Sequence, residues 1–453
     1  MVMTSDNEHL IPTPRDTPAE PAANSGWRGW LIHAIDARPD EIGAVLWGFT
    51  LFFLLFTSYA ILRPVRDAMG IASGVRNLQW LFSATFVTIL VAVPIYGWLN
   101  AHVARVRFID WVYGFFAINM LGFAAFLTVW PASSWIARAF FVWLSVFNLF
   151  VMSVAWSLMA DLFDTGQAKR LFGFIAGGVS IGGIAGPVFA ALMVSFLSIP
   201  GLLVVSALLL YGAVLAKSQL VTWRAARDTI QEDDERQRPV LGNPFSGFTL
   251  VVRSPYLLCL AAFVLLLTTA TTFLYFEQAR LVVTMFPTRS AQVRIFSIID
   301  GCVQTLSLIC QMFVTGRFAR YFGLKALLTA VPLMIVAGFL ALAVWPTFAV
   351  IAIVMGVRRV GEYAFIRPGR EMVFARMPVN LKYRAKNFLD TVVYRAGDAV
   401  SGWASAAITT FSQSSVVVSL VGALLAIIWA AFGYVLGEQE DKAGETTRRL
   451  RGN

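Results

Sequence analysis

Apolar residues dominate the chain in long runs that short polar segments interrupt. A membrane-spanning helix needs about 20 consecutive apolar residues, and the helix satisfies its own backbone polar groups inside the bilayer. The pattern predicts about twelve transmembrane helices in two sets of six. The first set covers residues 42–62, 78–99, 108–130, 139–160, 171–197 and 199–216, and the second covers residues 256–276, 291–316, 322–345, 347–365, 388–410 and 414–436.

The same pattern divides the chain into five parts: a cytoplasmic tail with a membrane-surface helix (1–41), an N-terminal bundle (42–216), a cytoplasmic linker (217–255), a C-terminal bundle (256–436) and a second cytoplasmic tail (437–453). The surface helix is expected because Trp27, Trp30 and Ile35 recur at helical spacing beside Arg28.

A weak internal repeat relates the two sets of spans. The segment at residues 168–172 has an echo at 384–388, and Gly186 and Gly402 follow at matching distances. The predicted fold is therefore an all-α membrane protein of two pseudo-symmetric six-helix bundles. This layout resembles that of major-facilitator-type transporters.

Composition agrees with a protein whose main solvent is lipid. The 453 residues are 58% hydrophobic and 14% charged, with a mean hydropathy of +0.70, whereas soluble chains carry roughly 25% charged residues. The net charge of +10 is typical of basic cytoplasmic loops and gives no reason to expect a nucleic-acid partner.

The loops also predict orientation. Six basic residues and only one acid, Glu371, lie between spans ten and eleven. We therefore expect a bacterial inner-membrane protein with this loop, the linker and both termini in the cytoplasm.

Enzymatic chemistry is not indicated. The three cysteines lie in apolar runs without a CxxC pair. The three histidines lie outside the spans and lack the spacing of metal ligands. No phosphate-binding loop of ATPases occurs, and the glycine-rich stretch 177–186 lies inside a span, where small residues favour close helix packing. We expect no enzyme activity, cofactor or metal, and the sequence indicates no obligatory protein partner.

Charged residues inside the spans are the candidates for function, because an ionised side chain costs about 2.5–3.5 kcal/mol at the centre of an inserted helix. Arg358, Arg359, Asp300 and Asp398 all fall near the middle of the bilayer by helical rise. Two interpretations remain open. The residues contact a solute in a shared cavity, or pairs such as Arg358 with Glu362 and Arg395 with Asp398 neutralise each other on one helix.

A second group of charges lies nearer the outer side. Span one ends in the segment Tyr59–Asp67, which contains Arg63, Pro64 and Arg66, and span seven ends near Glu277. These residues can simply extend toward water at a helix end. Alternatively, Pro64 breaks the helix where the arginines gather.

The segment Tyr59–Asp67 resembles the Y-x-I-L-R-x-x-K/R-D signature in the first span of the ATP/ADP translocase family, including Arg63, Arg66 and Asp67. A looser similarity extends over most of the chain. The resemblance implies nucleotide transport by exchange. This chain departs from the family by having Leu144, Tyr275 and Asp398 where those transporters have an acid, an acid and a lysine.

These observations predict a secondary active transporter that moves a small anionic solute, with a nucleotide suggested by the resemblance. The alternatives are a proton-coupled transporter of a non-nucleotide metabolite and a non-transporting membrane scaffold or sensor. The candidate solute-binding residues are Arg63, Arg66, Arg358, Arg359, Arg395, Tyr59 and Tyr394. The candidate coupling or charge-balancing residues are Asp67, Glu277, Asp300, Glu362 and Asp398.

Overall fold

The structure is a computed structural model that describes residues 36–102, 105–226, 247–375, 377–412 and 414–451. The predicted membrane-surface helix around Trp27 and Trp30, and the central part of the predicted linker, lie outside these described residues. Within the described residues the regular elements are all helices.

Fourteen α-helices follow one another in the described chain: α1 (Ile42–Ala72), α2 (Leu78–His102), α3 (Arg105–Val129), α4 (Ser134–Leu162), α5 (Thr165–Ala225), α6 (Phe248–Arg253), α7 (Pro255–Met285), α8 (Arg289–Cys310), α9 (Gly316–Val344), α10 (Phe348–Gly361), α11 (Arg367–Ala375), α12 (Val379–Asn387), α13 (Tyr394–Ser412) and α14 (Ser415–Arg451). A 3₁₀ turn covers Val75–Asn77, and π-helical segments cover Gln311–Thr315, Glu362–Ile366 and Phe388–Val393.

Eight helical stretches of the described residues are long and apolar enough to cross a bilayer. Two of them, Thr165–Ala225 and Arg289–Val344, are long enough to contain two spans each. The 61 residues of α5 would extend for about 90 Å, three times the roughly 30 Å of a hydrocarbon core. The chain reverses at Ser198 (φ 56°) in α5 and at Gly323 (φ 76°) in α9, where the backbone leaves the helical region.

The two remaining predicted spans correspond to α10 and α13 with their adjoining π segments, which carry several charges. The prediction of an all-α membrane protein with about twelve spans is thus confirmed. The chain is a multi-pass integral membrane protein.

Two separate hydrophobic cores define two bundles. One core is built almost entirely from residues between Ala37 and Leu220, and the other from residues between Val251 and Leu436. Large apolar side chains on the outer faces, such as Trp111 and Phe196, are exposed in the isolated chain. Those faces therefore suit contact with lipid.

Glycines allow α1 and α5 to pack at close range. A Cβ at Gly186 would lie 2.6 Å from the Cβ of Ala60, and a Cβ at Gly182 would lie 2.7 Å from the backbone oxygen of Phe53. The predicted role of this glycine-rich stretch in helix packing is confirmed. Such small residues bring helix backbones together inside a membrane.

Helix ends differ from the predicted domain bounds in three places. The N-terminal bundle extends beyond residue 216 to Ala225, α6 lies within the predicted linker, and the predicted C-terminal tail continues α14. The first difference has a clear cause. Lys217 is buried, and its Nζ donates to both carboxylate oxygens of Asp110 at 2.8 Å.

Glu41 fastens the start of α1 to α5. Its buried carboxylate accepts hydrogen bonds from the backbone N–H of Arg38 at 2.9 Å, from Gln167 Nε2 at 2.8 Å and from Arg170 Nη2 at 3.3 Å. Burial alone would raise the pKa of Glu41, but these hydrogen bonds and the charge of Arg170 outweigh burial and hold the pKa below its ordinary value.

Candidate functional site

A cavity of about 600 Å³ lies between the two bundles. Ligand pockets in proteins are typically about 300–1,000 Å³. Its wall contains eight basic and five acidic side chains, which leaves a formal excess of three positive charges. Such a wall requires water or an anion inside, because charged groups are not stable in hydrocarbon.

Ten of the twelve candidate residues line this cavity: Tyr59, Arg63, Arg66, Asp67, Arg358, Arg359, Glu362, Tyr394, Arg395 and Asp398. The other two do not. Asp300 lies directly behind the wall, bound to Arg359 and close to Arg63. Glu277 lies away from the cavity, where it binds Arg280 at 3.4 Å and accepts a hydrogen bond from Ser415.

The segment Tyr59–Asp67, at the predicted outer end of span one, forms one side of the cavity. Pro64 lies inside α1, and the helix continues to Ala72, so the expectation that Pro64 breaks the helix is wrong. Arg66 Nη2 lies 2.9 Å from Asp67 Oδ1, and the Arg66 guanidinium lies 4.9 Å from the centre of the Phe141 ring. Tyr275, from the other bundle, donates its hydroxyl to Asp67 at 3.2 Å.

One carboxylate is shared by arginines of both bundles. Asp300 on α8 accepts a hydrogen bond from Arg359 on α10, and its second oxygen lies 3.6 Å from Nε of Arg63 on α1. The three residues lie at similar depth, because Arg63 is about 13 Å from the end of α1. Asp300 and Arg359 are each about 16 Å from the start of their helices.

A second carboxylate is shared within the C-terminal bundle. Glu362 accepts from Arg358 Nη1 at 2.8 Å and from Arg367 Nη2 at 3.2 Å. Arg358 also donates to Thr271 Oγ1 at 2.7 Å. The predicted pairing of Arg358 with Glu362 on one helix is confirmed. Pairing does not withdraw either residue from the cavity, so the two interpretations are compatible.

Arg395 and Asp398 repeat this arrangement on α13. Their closest charged atoms are 3.5 Å apart, and both residues line the cavity. The Arg395 guanidinium lies 5.9 Å from the centre of the Tyr394 ring.

The sequence pattern does not identify several residues of the cavity wall as candidates for solute binding. Arg367, Arg370 and Lys386 were assigned only to a basic loop, yet they lie on α11 and α12 and form part of the wall. Arg370 binds Asp390, and Lys386 binds Glu371. The available signal was Asp390, an acid inside predicted span eleven.

Two π-helical segments adjoin these charges. Glu362 and Tyr363 lie in the segment Glu362–Ile366, and Asp390 lies in Phe388–Val393. The wider turn shifts the following side chains around the helix, and such segments occur frequently at functional sites.

The bundles touch each other near the predicted outer ends of the helices. Trp403 on α13 donates to Ser83 on α2 at 3.0 Å, and its ring lies 4.7 Å from that of Trp80. On the other side of the molecule, Arg294 on α8 donates to the carbonyl of Ala191 on α5 at 3.2 Å.

At the opposite end the cavity wall is accessible. The side chains of Arg367 and Glu371 are 56% and 52% exposed. The cavity is therefore closed at the predicted outer end and open at the predicted cytoplasmic end.

Two helical bundles around a charged central cavity define the class of polytopic membrane transporters. The chain belongs to the Major Facilitator Superfamily, because the sequence profile of that family matches residues 45–366. It is therefore a membrane transporter, not an enzyme.

Solved transporters share the fold at low identity. A bacterial homologue of the human lysosomal transporter Spinster, in an inward-facing and unoccupied conformation, is 13% identical, with a TM-score of 0.59 over 90% of this chain and 98% of that one. The nucleoside transporter NupG is 15% identical, with a TM-score of 0.59 over 88% and 98%. An auto-inhibited POT family peptide transporter is 12% identical, with a TM-score of 0.57 over 89% and 96%. No curated protein matches the chain.

Proposed function

We propose that this transporter carries a small anionic solute across the bacterial inner membrane by alternating access, with both termini in the cytoplasm. A nucleotide, moved by exchange, is the favoured solute. In alternating access the two bundles rock around a fixed central site and expose it to one side at a time.

The observation that carries the proposal is the charge of the cavity wall, with eight basic and five acidic side chains. Arg63 and Arg359 share Asp300, and Arg358 and Arg367 share Glu362, so each group of three retains one positive charge. Guanidinium groups bind phosphate or carboxylate through two parallel hydrogen bonds. An anion would compensate the remaining charge when the cavity closes around it.

Aromatic side chains in the same wall support a solute that also has a ring. Phe56, Tyr59, Phe141 and Tyr363 line the cavity together with the arginines. Faces of aromatic rings bind nucleobases by stacking. This combination favours a nucleotide over a small carboxylate, in agreement with the resemblance of the segment Tyr59–Asp67 to ATP/ADP translocases.

The departures from that family affect the details of the site. Leu144 is buried in the N-terminal core, and Tyr275 binds Asp67. The charges that the family has at these positions are thus missing here. Arg358 and Arg359 supply cationic groups from α10 in this chain.

Proton-coupled transport of a non-nucleotide metabolite is the second candidate, and Asp398 favours it. Asp398 is buried in the cavity wall, and its only ion pair among the described residues is the long contact with Arg395. A buried, weakly paired carboxylate suits proton exchange. A non-transporting scaffold or sensor is disfavoured by membership of a transporter family.

Counterflow in proteoliposomes tests the proposal. Purified protein is reconstituted, and uptake is measured with ATP, ADP, AMP, sugar phosphates, dicarboxylates and neutral nucleosides. We expect saturable uptake of at least one phosphorylated anion. Uptake of neutral solutes alone would refute the anionic class, whereas uptake of anions other than nucleotides would refute only the nucleotide.

The Arg358→Gln variant tests the site. Hydrogen bonds to charged groups contribute about 1.5–3 kcal/mol, so the transport rate at low solute concentration should fall at least about tenfold. Arg317→Gln is the matched control, because Arg317 is exposed and, among the described residues, donates only to the backbone carbonyl of Phe313. Equal membrane insertion with unchanged uptake by Arg358→Gln would exclude Arg358 from the site.

A further inference from the structure

Asp300 differs from the other carboxylates of the central site in its position and partners. It is 2% exposed and lies behind the cavity wall. Its two oxygens face arginines of different bundles, Arg359 on α10 and Arg63 on α1. Asp67, Glu362 and Asp398 instead form ion pairs with arginines of their own bundle.

The ion pair between Asp300 and Arg63 is long and lacks a hydrogen bond. Nε of Arg63 lies 3.6 Å from Oδ2 of Asp300, which is longer than a hydrogen bond between charged groups. Among the described residues, Oδ2 of Asp300 has no hydrogen-bond partner. The Arg63 guanidinium makes one further long hydrogen bond, to the hydroxyl of Tyr363 at 3.5 Å.

Arg359 also has unused donors. Its Nε and Nη2 are buried and lack a hydrogen-bond partner among the described residues. A buried donor without a partner costs about 1–3 kcal/mol. Arg63 and Arg359 thus have N–H donors that Asp300 leaves without an acceptor. Both side chains line the cavity.

We propose that Asp300 is a resident counter-ion of Arg63 and Arg359. An anionic group of the solute displaces Asp300 from Arg63 and competes with Asp300 for Arg359. This inference rests on the proposed function. In the empty protein Asp300 partly neutralises the two arginines and links the bundles through α1 and α8. The arriving anion takes over Arg63, and Asp300 recovers it when the solute leaves.

Asp300 is then a positioning residue that sets affinity and release. A competing carboxylate weakens binding of the anion, because part of the interaction energy replaces an existing ion pair. The same carboxylate speeds release, because it stabilises the vacated arginines. A purely structural aspartate would hold Arg359 in place, and its loss would weaken binding.

The Asp300→Asn variant separates these two roles. Binding of ADP and of inorganic pyrophosphate is measured by calorimetry on purified protein, and ADP counterflow is measured in proteoliposomes. We expect Asp300→Asn to bind both anions about tenfold more tightly. KM and the maximal rate of counterflow should both fall. Asp300→Glu, which restores the charge, should return both values toward those of the wild type.

Asp110→Asn is the matched control for removing the acidic partner of a buried basic residue outside the cavity. Asp110 binds Lys217 within the N-terminal bundle and does not line the cavity. Its loss should lower the melting temperature and leave KM unchanged. If Asp300→Asn does not fold, the double variant Arg63→Gln/Asp300→Asn replaces it, because it leaves one arginine without a carboxylate instead of two. The double variant should bind pyrophosphate more tightly than Arg63→Gln alone.

Each outcome decides the proposal. Weaker or unchanged anion binding in Asp300→Asn, with anion binding by the wild type, overturns the role of Asp300 and leaves the proposed function standing. The same holds if the double variant binds no more tightly than Arg63→Gln. Absence of ADP and pyrophosphate binding by both the wild type and Asp300→Asn overturns the proposed nucleotide and the role of Asp300 as its competing counter-ion together.

Discussion

A disulfide between α2 and α13 should lock the closed end of the transporter. A Cβ at Gly402 would lie 3.5 Å from the Cβ of Gln79, and disulfides have Cβ–Cβ distances of about 3.5–4.5 Å. The two positions belong to different bundles. The double variant Gln79→Cys/Gly402→Cys should therefore cross-link readily in this conformation.

The expected effect is large because the natural contact at this place is weak. The hydrogen bond from Trp403 to Ser83 at 3.0 Å contributes about 0.5–1.5 kcal/mol. The edge-on pair of Trp403 and Trp80, whose ring centres are 4.7 Å apart, contributes about 0.5–1.5 kcal/mol. Thermal motion can separate such contacts but cannot break a disulfide. Uptake should therefore fall in proportion to the cross-linked fraction.

The assay is solute uptake before oxidation, after oxidation and after reduction, with cross-linking followed by mobility on a gel. The matched control is Gly338→Cys/Val354→Cys, because a Cβ at Gly338 would lie 3.4 Å from the Cβ of Val354 within the C-terminal bundle. Both pairs are introduced after replacing the native residues Cys259, Cys302 and Cys310 by serine.

Oxidation should stop uptake by the first pair, and reduction should restore it. The control pair should cross-link without loss of uptake, since its helices move together. Complete cross-linking of positions 79 and 402 with undiminished uptake would refute the reasoning, because the bundles would then not need to separate there.

Two further predictions concern stability. Gly186→Val should cost about 1–3 kcal/mol of stability, because its side chain would collide with Ala60. Gly173→Ala should not lower the melting temperature, since nothing lies within 4 Å of its Cβ position and alanine favours a helix more than glycine does; equal melting of both variants would contradict this account. The lowered pKa of Glu41 should stabilise the protein above the ordinary carboxyl pKa of about 4.3, and this contribution should be lost as the pH falls through the lowered value. Thermal melting between about pH 7 and pH 3 checks this, and Glu41→Gln should be less sensitive to acid than the wild type.

The class of the protein could be predicted from the sequence because a bilayer imposes strict local rules. Each span needs its own run of apolar residues, and charges within such runs are costly enough to mark a functional region. The positions of Arg358, Arg359 and Asp398 along their helices therefore indicated their depth. Pairing four residues apart, as in Arg358 with Glu362, is equally local.

Only the tertiary structure decided which charges share a cavity and which partners they have. Glu277 and Asp67 looked alike in the sequence, yet Glu277 faces away from the cavity and Asp67 lines it. Rotation of a helix about its axis depends on packing against distant residues, such as α1 against the glycines of α5. The pairing of Asp300 with Arg63 brings together residues far apart in the chain. No local pattern encodes that contact, because it depends on how two separately packed bundles meet.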